Sequence, residues 1–112
     1  MKYGQNSPQT FGDLNSLAKA LQGKGDYTSA INIFNKIYEQ SARFYGESNP
    51  TTLLYQSNIG HTLALDGKYD DSEKVFKNVI DKKRKTLGDD HPETNRAEED
   101  LKTLEELRKL NS

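Results

Sequence analysis

The sequence predicts an all-α protein, a short right-handed solenoid of two helical hairpins followed by one C-terminal capping helix. Three observations predict it. The three prolines, Pro8, Pro50 and Pro92, are spaced by 42 and 42 residues, and a fixed period of this size is the mark of a stacked repeat array. Behind each proline, apolar residues recur at helical rather than strand spacing. Between the apolar runs stand glycine turns that keep the same period, at Gly25 and Gly67. Further residues share the phase: Tyr3-Gly4, Tyr45-Gly46 and Leu87-Gly88; Thr10, Thr52 and Thr94; Tyr27 and Tyr69; Phe34 and Phe76. The chain, 1–112, is therefore expected to form one repeat domain, with repeat one at 3–44, repeat two at 45–86 and a half repeat at 87–112.

Each element follows from its own residues. Ser7, a good N-cap type, precedes Pro8, and proline suits the first turn of a helix because its missing N–H would be unpaired there. Leu14, Leu17, Ala18 and Leu21 then fall at i, i+3, i+4 and i+7, on one helical face. Gly23-Lys24-Gly25-Asp26 ends that helix and turns the chain. Tyr27, Ala30, Ile31, Phe34, Ile37 and Tyr38 mark the face of a second helix, closed by Phe44-Tyr45-Gly46. Asn49-Pro50 opens the second hairpin. Its first helix carries Ile59, Gly60 and Leu63, Asp66-Gly67-Lys68 turns it, and Tyr69, Val75, Phe76, Val79 and Ile80 mark its second helix. Helices of about 15–18 residues are expected, within the usual range for globular proteins.

Ala18 and Gly60 share one phase, and Ala30 and Ser72 another. Small residues are expected where paired helices approach closely, since a larger side chain would push the hairpin apart. His91-Pro92 opens the last helix, although His is a poor N-cap type. There Leu101 matches Leu17 and Ile59, but Lys102 and Glu105 stand where the hairpins have a small residue and a leucine. Leu101, Leu104, Leu107 and Leu110 read as one narrow apolar stripe on a capping helix whose other side faces water. At the opposite end, Tyr3-Gly4 resembles the close of a preceding second helix. The chain is thus expected to be the C-terminal piece of a longer array, with an uncapped first hairpin.

Composition narrows the function classes. Hydrophobic residues make up 32% of the chain, below the share usual in globular domains, so a single large core is not expected. Sixteen basic residues face 17 acidic ones, for a net charge of −1. A generic polyanion binder would carry a basic excess, so nucleic acid is not an expected partner. The absence of cysteine excludes disulfides, thiolate metal sites and a Cys nucleophile. No apolar run approaches the roughly 20 residues that span a membrane, and Met1-Lys2-Tyr3-Gly4-Gln5 lacks the apolar stretch of a secretory signal. A soluble, cytoplasmic protein is the expectation.

The hairpin residues now carry a resemblance. Leu17, Ala18, Leu21, Gly25, Tyr27, Ala30 and Phe34 look like the tetratricopeptide repeat signature, and Ile59, Gly60, Leu63, Gly67, Tyr69 and Phe76 repeat it, with Ser72 replacing the usual Ala. The longer period, Asn58-Ile59-Gly60 and Leu87-Gly88-Asp89-Asp90-His91-Pro92-Glu93-Thr94 resemble the kinesin-light-chain type of that repeat. The resemblance implies a non-catalytic module that binds a protein or peptide, with no cofactor, in a concave groove lined by the first helices. Family ligand positions map onto Asn15, Lys19 and Gln22 in repeat one, onto Leu54, Ser57, His61 and Ala64 in repeat two, and onto Glu99 and Thr103 in the third segment. Asn58 falls where the family often has an Asn that bonds a peptide backbone, a task suited to an amide that both donates and accepts. Leu54, Ser57, Asn58 and His61 lie at i, i+3, i+4 and i+7, on one face. A second reading of Asn58 is a side chain bridging neighbouring helices, and the two are compatible. Repeats that clamp a chaperone's terminal carboxylate have basic residues at the third-segment positions; Glu99 is an acid, which disfavours that partner.

Other constellations read as ordinary surface. His61 and His91 are the only histidines, and no grouping has metal-ligand spacing or the converging nucleophile, base and orienter that catalysis needs. Asp66-Gly67-Lys68-Tyr69-Asp70-Asp71 lacks the alternating ligands and distal Glu of a calcium loop. Lys82-Lys83-Arg84-Lys85 reads as cations at the negative pole of a helix. The alternative function is structural: a segment whose uncapped first hairpin stacks on other repeats or on a second copy, as a homo-oligomer or scaffold.

Overall fold

The computed structural model describes residues 8–111, with side-chain environments from residue 11 onward; Tyr3-Gly4 and the expected cap Ser7 lie outside the described residues. Five helices follow one another: α1 (Pro8–Gly23), α2 (Tyr27–Tyr45), α3 (Pro50–Leu65), α4 (Tyr69–Leu87) and α5 (Pro92–Leu110). Each packs mainly against its sequence neighbours, and the result is a slab of 48 × 34 × 17 Å. That is the geometry of a right-handed helical solenoid, in which every unit touches only the next. α2 and α4, at 19 residues each, run slightly longer than expected.

Local chemistry fixes the helix ends. The Asn49 Oδ1 accepts a hydrogen bond from the Thr51 amide at 2.9 Å. His91, a poor cap type by preference, occupies the same role: its Nδ1 accepts from the Glu93 amide at 3.1 Å. Nδ1 of His and Oδ1 of Asn are the same number of bonds from Cα, so the imidazole reaches the same orphan donor. In the first hairpin turn the Asp26 amide bonds the Leu21 carbonyl and the Gly25 amide bonds that of Gln22; Lys68 and Gly67 repeat this with Leu63 and Ala64. This is a Schellman closure, which requires a left-handed residue. Gly25 and Gly67 supply it at φ +87° and +80°.

The core runs between the hairpins. Ala18, Ala30, Phe34 and Ile37 pack with Tyr55, Ile59 and Leu63, joined by Phe11. Phe11, whose offset matches Leu53, had no place in the apolar face read from the sequence. It is buried, with its ring edge-on to Phe44, Tyr45 and Tyr55 at 6.2–6.3 Å. A second cluster joins Val79 and Ile80 to Ala97 and Leu101. The small-residue positions behave as their phase suggests: Ala18, Ala30 and Ser72 are fully buried, and the Ser72 hydroxyl donates to the Gly60 carbonyl at 2.7 Å.

Two expectations about leucines are corrected. Leu17 does not belong to the buried face of α1; it is 49% exposed. Its phase-mate Ile59 is covered by α2 and Leu101 by α4, whereas no described helix precedes α1. The four leucines of α5 also do not form one stripe. Leu104 is buried and Leu101 packs on α4, but Leu107 is exposed and Leu110 is 81% exposed. A spacing of three residues on a helix of 3.6 residues per turn drifts about 60° per step, so Leu101 and Leu110 end on opposite sides.

The far end of α5 is held by charge. The Arg108 guanidinium pairs with Asp70 at 2.9 Å and with Glu73 at 3.4 Å, tying the last turn of α5 to the first turns of α4. Lys77, hydrogen-bonded to Glu73, holds its carboxyl below the usual carboxylate value, and Arg108 lowers it further. A lowered folded-state value means that this contribution is present above the unfolded carboxylate pKa and is lost as pH falls through the folded one. Acid titration of stability should therefore be shallower in Glu73→Gln than in the wild type over that window, while the two curves run parallel near neutrality. Identical slopes below the ordinary carboxylate range would contradict the pairing.

Candidate functional site

α1, α3 and α5 together line one face of the slab. α3 (Pro50–Leu65) lies in the middle and places Leu54, Ser57, Asn58 and His61 along one side, as i, i+3, i+4, i+7 geometry requires. All four border a cleft of about 460 Å³, completed by Lys83 at the end of α4 and by Glu93, Arg96 and Asp100 of α5. A second cleft, of about 450 Å³, is lined by Lys19, Gln22 and Gly23 of α1, His61, Ala64 and Leu65 of α3, and Leu107 of α5. His61 stands between the two. Leu107, turned away from α4 by the helical drift, supplies part of the apolar wall of the second cleft.

Of the expected site residues on α1 and α3, Asn15 borders neither cleft; its Oδ1 accepts a hydrogen bond from Asn58 Nδ2 at 3.1 Å. The bridging reading of Asn58 is therefore realised. The bond uses one of two amide donors and leaves the Asn58 Oδ1 as an acceptor. One more bond ties α1 to α3: Gln22 Nε2 donates to Thr62 Oγ1 at 3.1 Å, while Thr62 itself donates to the Asn58 carbonyl within α3 at 2.7 Å. Polar side chains here hold the face rigid as well as lining it.

The electrostatics of the first cleft are mixed. His61 Nε2 lies 3.7 Å from Asp100 Oδ2, and its ring sits edge-on to Phe76 at 5.1 Å. Lys83 is 3.8 Å from Glu93. The Arg96 side chain is exposed and has no ion-pair partner among the described residues. Such a wall can meet both a carboxylate and a backbone amide.

The third-segment residues read from the sequence are corrected. Glu99 lies with Asn95, Glu98, Lys102 and Glu105 in a separate shallow cleft on the outer side of α5, and Thr103 borders neither groove cleft. Ser57, the phase-mate of Glu99, borders the groove because α5 lies beyond it; no described helix lies beyond α5. Arg96 and Asp100 enter the groove instead. Their signal was in the sequence, as the phase-mates of Leu54 and Asn58. Lys83 and Glu93 had no such signal, since their approach depends on how α4 meets α5.

The basic run is absorbed by local pairing. Lys82 meets Glu47 at 3.7 Å, Lys85 meets Asp81 at 3.1 Å, and Arg84 pairs with Asp89 and Glu98. Together with the Lys83–Glu93 contact, these bring each of the four cations of Lys82–Lys85 against a carboxylate. Among the described residues no helix is long and apolar enough to cross a membrane.

With this geometry in view, the chain can be set beside known proteins. The model of the tetratricopeptide repeat family matches residues 12–81. No curated protein matches. Solved structures do, among them the crystal structure of a putative kinesin light chain from Podosopora anserina with nearly identical tetratricopeptide-like repeats. It shares 17% identity with this chain at a TM-score of 0.73, covering 96% of this chain and 56% of that one. The chain thus spans about half the length of that protein, and at this identity the likeness is one of fold.

Proposed function

The chain belongs to the tetratricopeptide repeat family, whose repeats mediate protein–protein interaction, and on that premise we propose that it holds a peptide or a segment of a partner protein along the face of α1, α3 and α5. The supporting observation is the cleft beside α3, where Leu54, Ser57, Asn58 and His61 converge with Arg96 and Asp100. The module is read as non-catalytic, cytoplasmic and without a cofactor, its partner a protein or peptide rather than nucleic acid or membrane. Lys19 and Gln22 extend the contact into the second cleft.

The test is a peptide-display selection on the wild-type chain, repeated on Asn58→Ala and Asn15→Ala. Both substitutions break the α1–α3 amide bridge, but only the first removes a cleft group. Enrichment of one sequence motif, weakened about tenfold in Asn58→Ala as expected for a lost hydrogen bond in a desolvated contact and kept in Asn15→Ala, supports the groove. No enrichment, or equal loss in both variants, overturns it.

A second reading is favoured by one observation, the exposure of Leu17 on the outer side of α1. It is self-association through the first hairpin.

A further inference from the structure

Four residues lie on one outer stripe of the first hairpin. Asp13, Leu17, Ala20 and Lys24 follow one another at i, i+4, i+7 and i+11, which keeps them within about 60° on a helix. All four are exposed. The Lys24 amide still bonds the Ala20 carbonyl at 3.1 Å, so the helical path carries through to Lys24. The residues that bind α1 to α3, Asn15 and Gln22, project from a different side. Neither the Asp13 nor the Lys24 side chain has a partner among the described residues.

The stripe is self-complementary. In an antiparallel pairing with a second α1, a two-fold axis midway between Ala18 and Lys19 sets Asp13 against Lys24 of the other copy, and Lys24 against its Asp13. The same axis sets Leu17 against Ala20, a large residue against a small one, twice. The spacing of four, three and four residues is that of a coiled-coil seam, and one patch meeting itself about a two-fold axis closes at two copies. The other end of the solenoid does not invite stacking. There Lys102 and Glu105 stand exposed where α1 and α3 carry Ala18, Gly60, Leu21 and Leu63, and Glu98 is engaged by Arg84.

We propose that this chain forms a closed antiparallel dimer through the Asp13–Leu17–Ala20–Lys24 stripe of α1, leaving the groove of α3 and α5 free on each copy. The inference rests on the self-association reading and is independent of the peptide groove.

The experiment is sedimentation equilibrium of the full 112-residue chain over a concentration series, with circular dichroism to confirm that each variant is folded. The wild type is expected to move from monomer to dimer and no further. Asp13→Lys and Lys24→Asp each place like charges at two contacts, so each should weaken the dimer at least about tenfold, two exposed ion pairs turned repulsive. The double variant Asp13→Lys with Lys24→Asp restores both pairs and should recover the wild-type constant. A wild type that stays monomeric overturns self-association altogether. A dimer indifferent to the charge swap overturns this seam while leaving self-association standing. Species larger than a dimer show stacking end to end and overturn the closed pairing.

Discussion

Phe34→Ala is expected to lower the free energy of unfolding by about 3–5 kcal/mol, the range for deleting a fully buried phenyl ring from a packed core. Phe34 has no exposed surface, and it packs with Ala18, Ala30, Ile37, Ile59 and Leu63. The cluster it belongs to draws on both helices of its own hairpin and on the first helix of the next. The effect is large relative to the total, because domains of this size are held by only about 5–15 kcal/mol, and a solenoid of two hairpins has few interfaces to share the loss. Urea unfolding followed by helical circular dichroism checks it. Leu17→Ala, on the exposed side of α1, serves as the comparison and should cost under about 1 kcal/mol at concentrations where the chain is monomeric. A loss at Phe34 no larger than that at Leu17 would mean that the hairpins are not packed as described.

The second large effect is a difference of sign between two glycines in helices. A Cβ on Gly60 would lie 3.0 Å from two atoms of the Phe76 ring and 3.2 Å from a Val75 methyl. A Cβ on Gly12 would meet nothing within 4 Å. Replacing glycine by alanine inside a helix gains roughly 0.5–1 kcal/mol in backbone entropy. At Gly12 that gain stands alone, so Gly12→Ala should stabilise by about that amount. At Gly60 the gain is opposed by overpacking, which costs about 1–3 kcal/mol. The Phe76 ring is buried and the Gly60 carbonyl is held by Ser72, so neither side gives way readily. Gly60→Ala should therefore be neutral to clearly destabilising, and Gly60→Val, with two further methyl groups, should lose more than about 2 kcal/mol. Thermal unfolding of the variants beside the wild type decides it. Stabilisation by Gly60→Ala would show that the α3–α4 approach is looser than the contacts indicate.

These two cases also show where the sequence speaks and where it falls silent. The phase of Gly60 with Ala18, and of Phe34 with Phe76, already marked a close approach and a core ring, because a repeat must reuse the same contact at the same offset. The face of α3 was legible by another route: the resemblance to the family's repeats pointed to Leu54, Ser57, Asn58 and His61, and helical spacing sets them on one side. Leu17 and Glu99 were misplaced for a common reason. Periodicity states which side of a helix a residue occupies, but not whether another helix lies there. At the two ends of the solenoid, no described neighbour does. Leu107 and Leu110 went astray for a different reason, since a three-residue spacing mimics a stripe on paper and spirals around a real helix.

The sequence by itself determined the helical class, the 42-residue period and the turn positions, because these depend on spacing along one chain, and its resemblance to the family pointed to the face of α3. Only the tertiary structure decided which groups complete that face. Asn15 turned inward to Asn58, Lys83 came alongside Glu93, and Arg96 and Asp100 entered beside His61. Those contacts are set by how α1, α3, α4 and α5 settle against one another, by steric fit and hydrogen bonding in space, to which no local pattern of residues is sensitive.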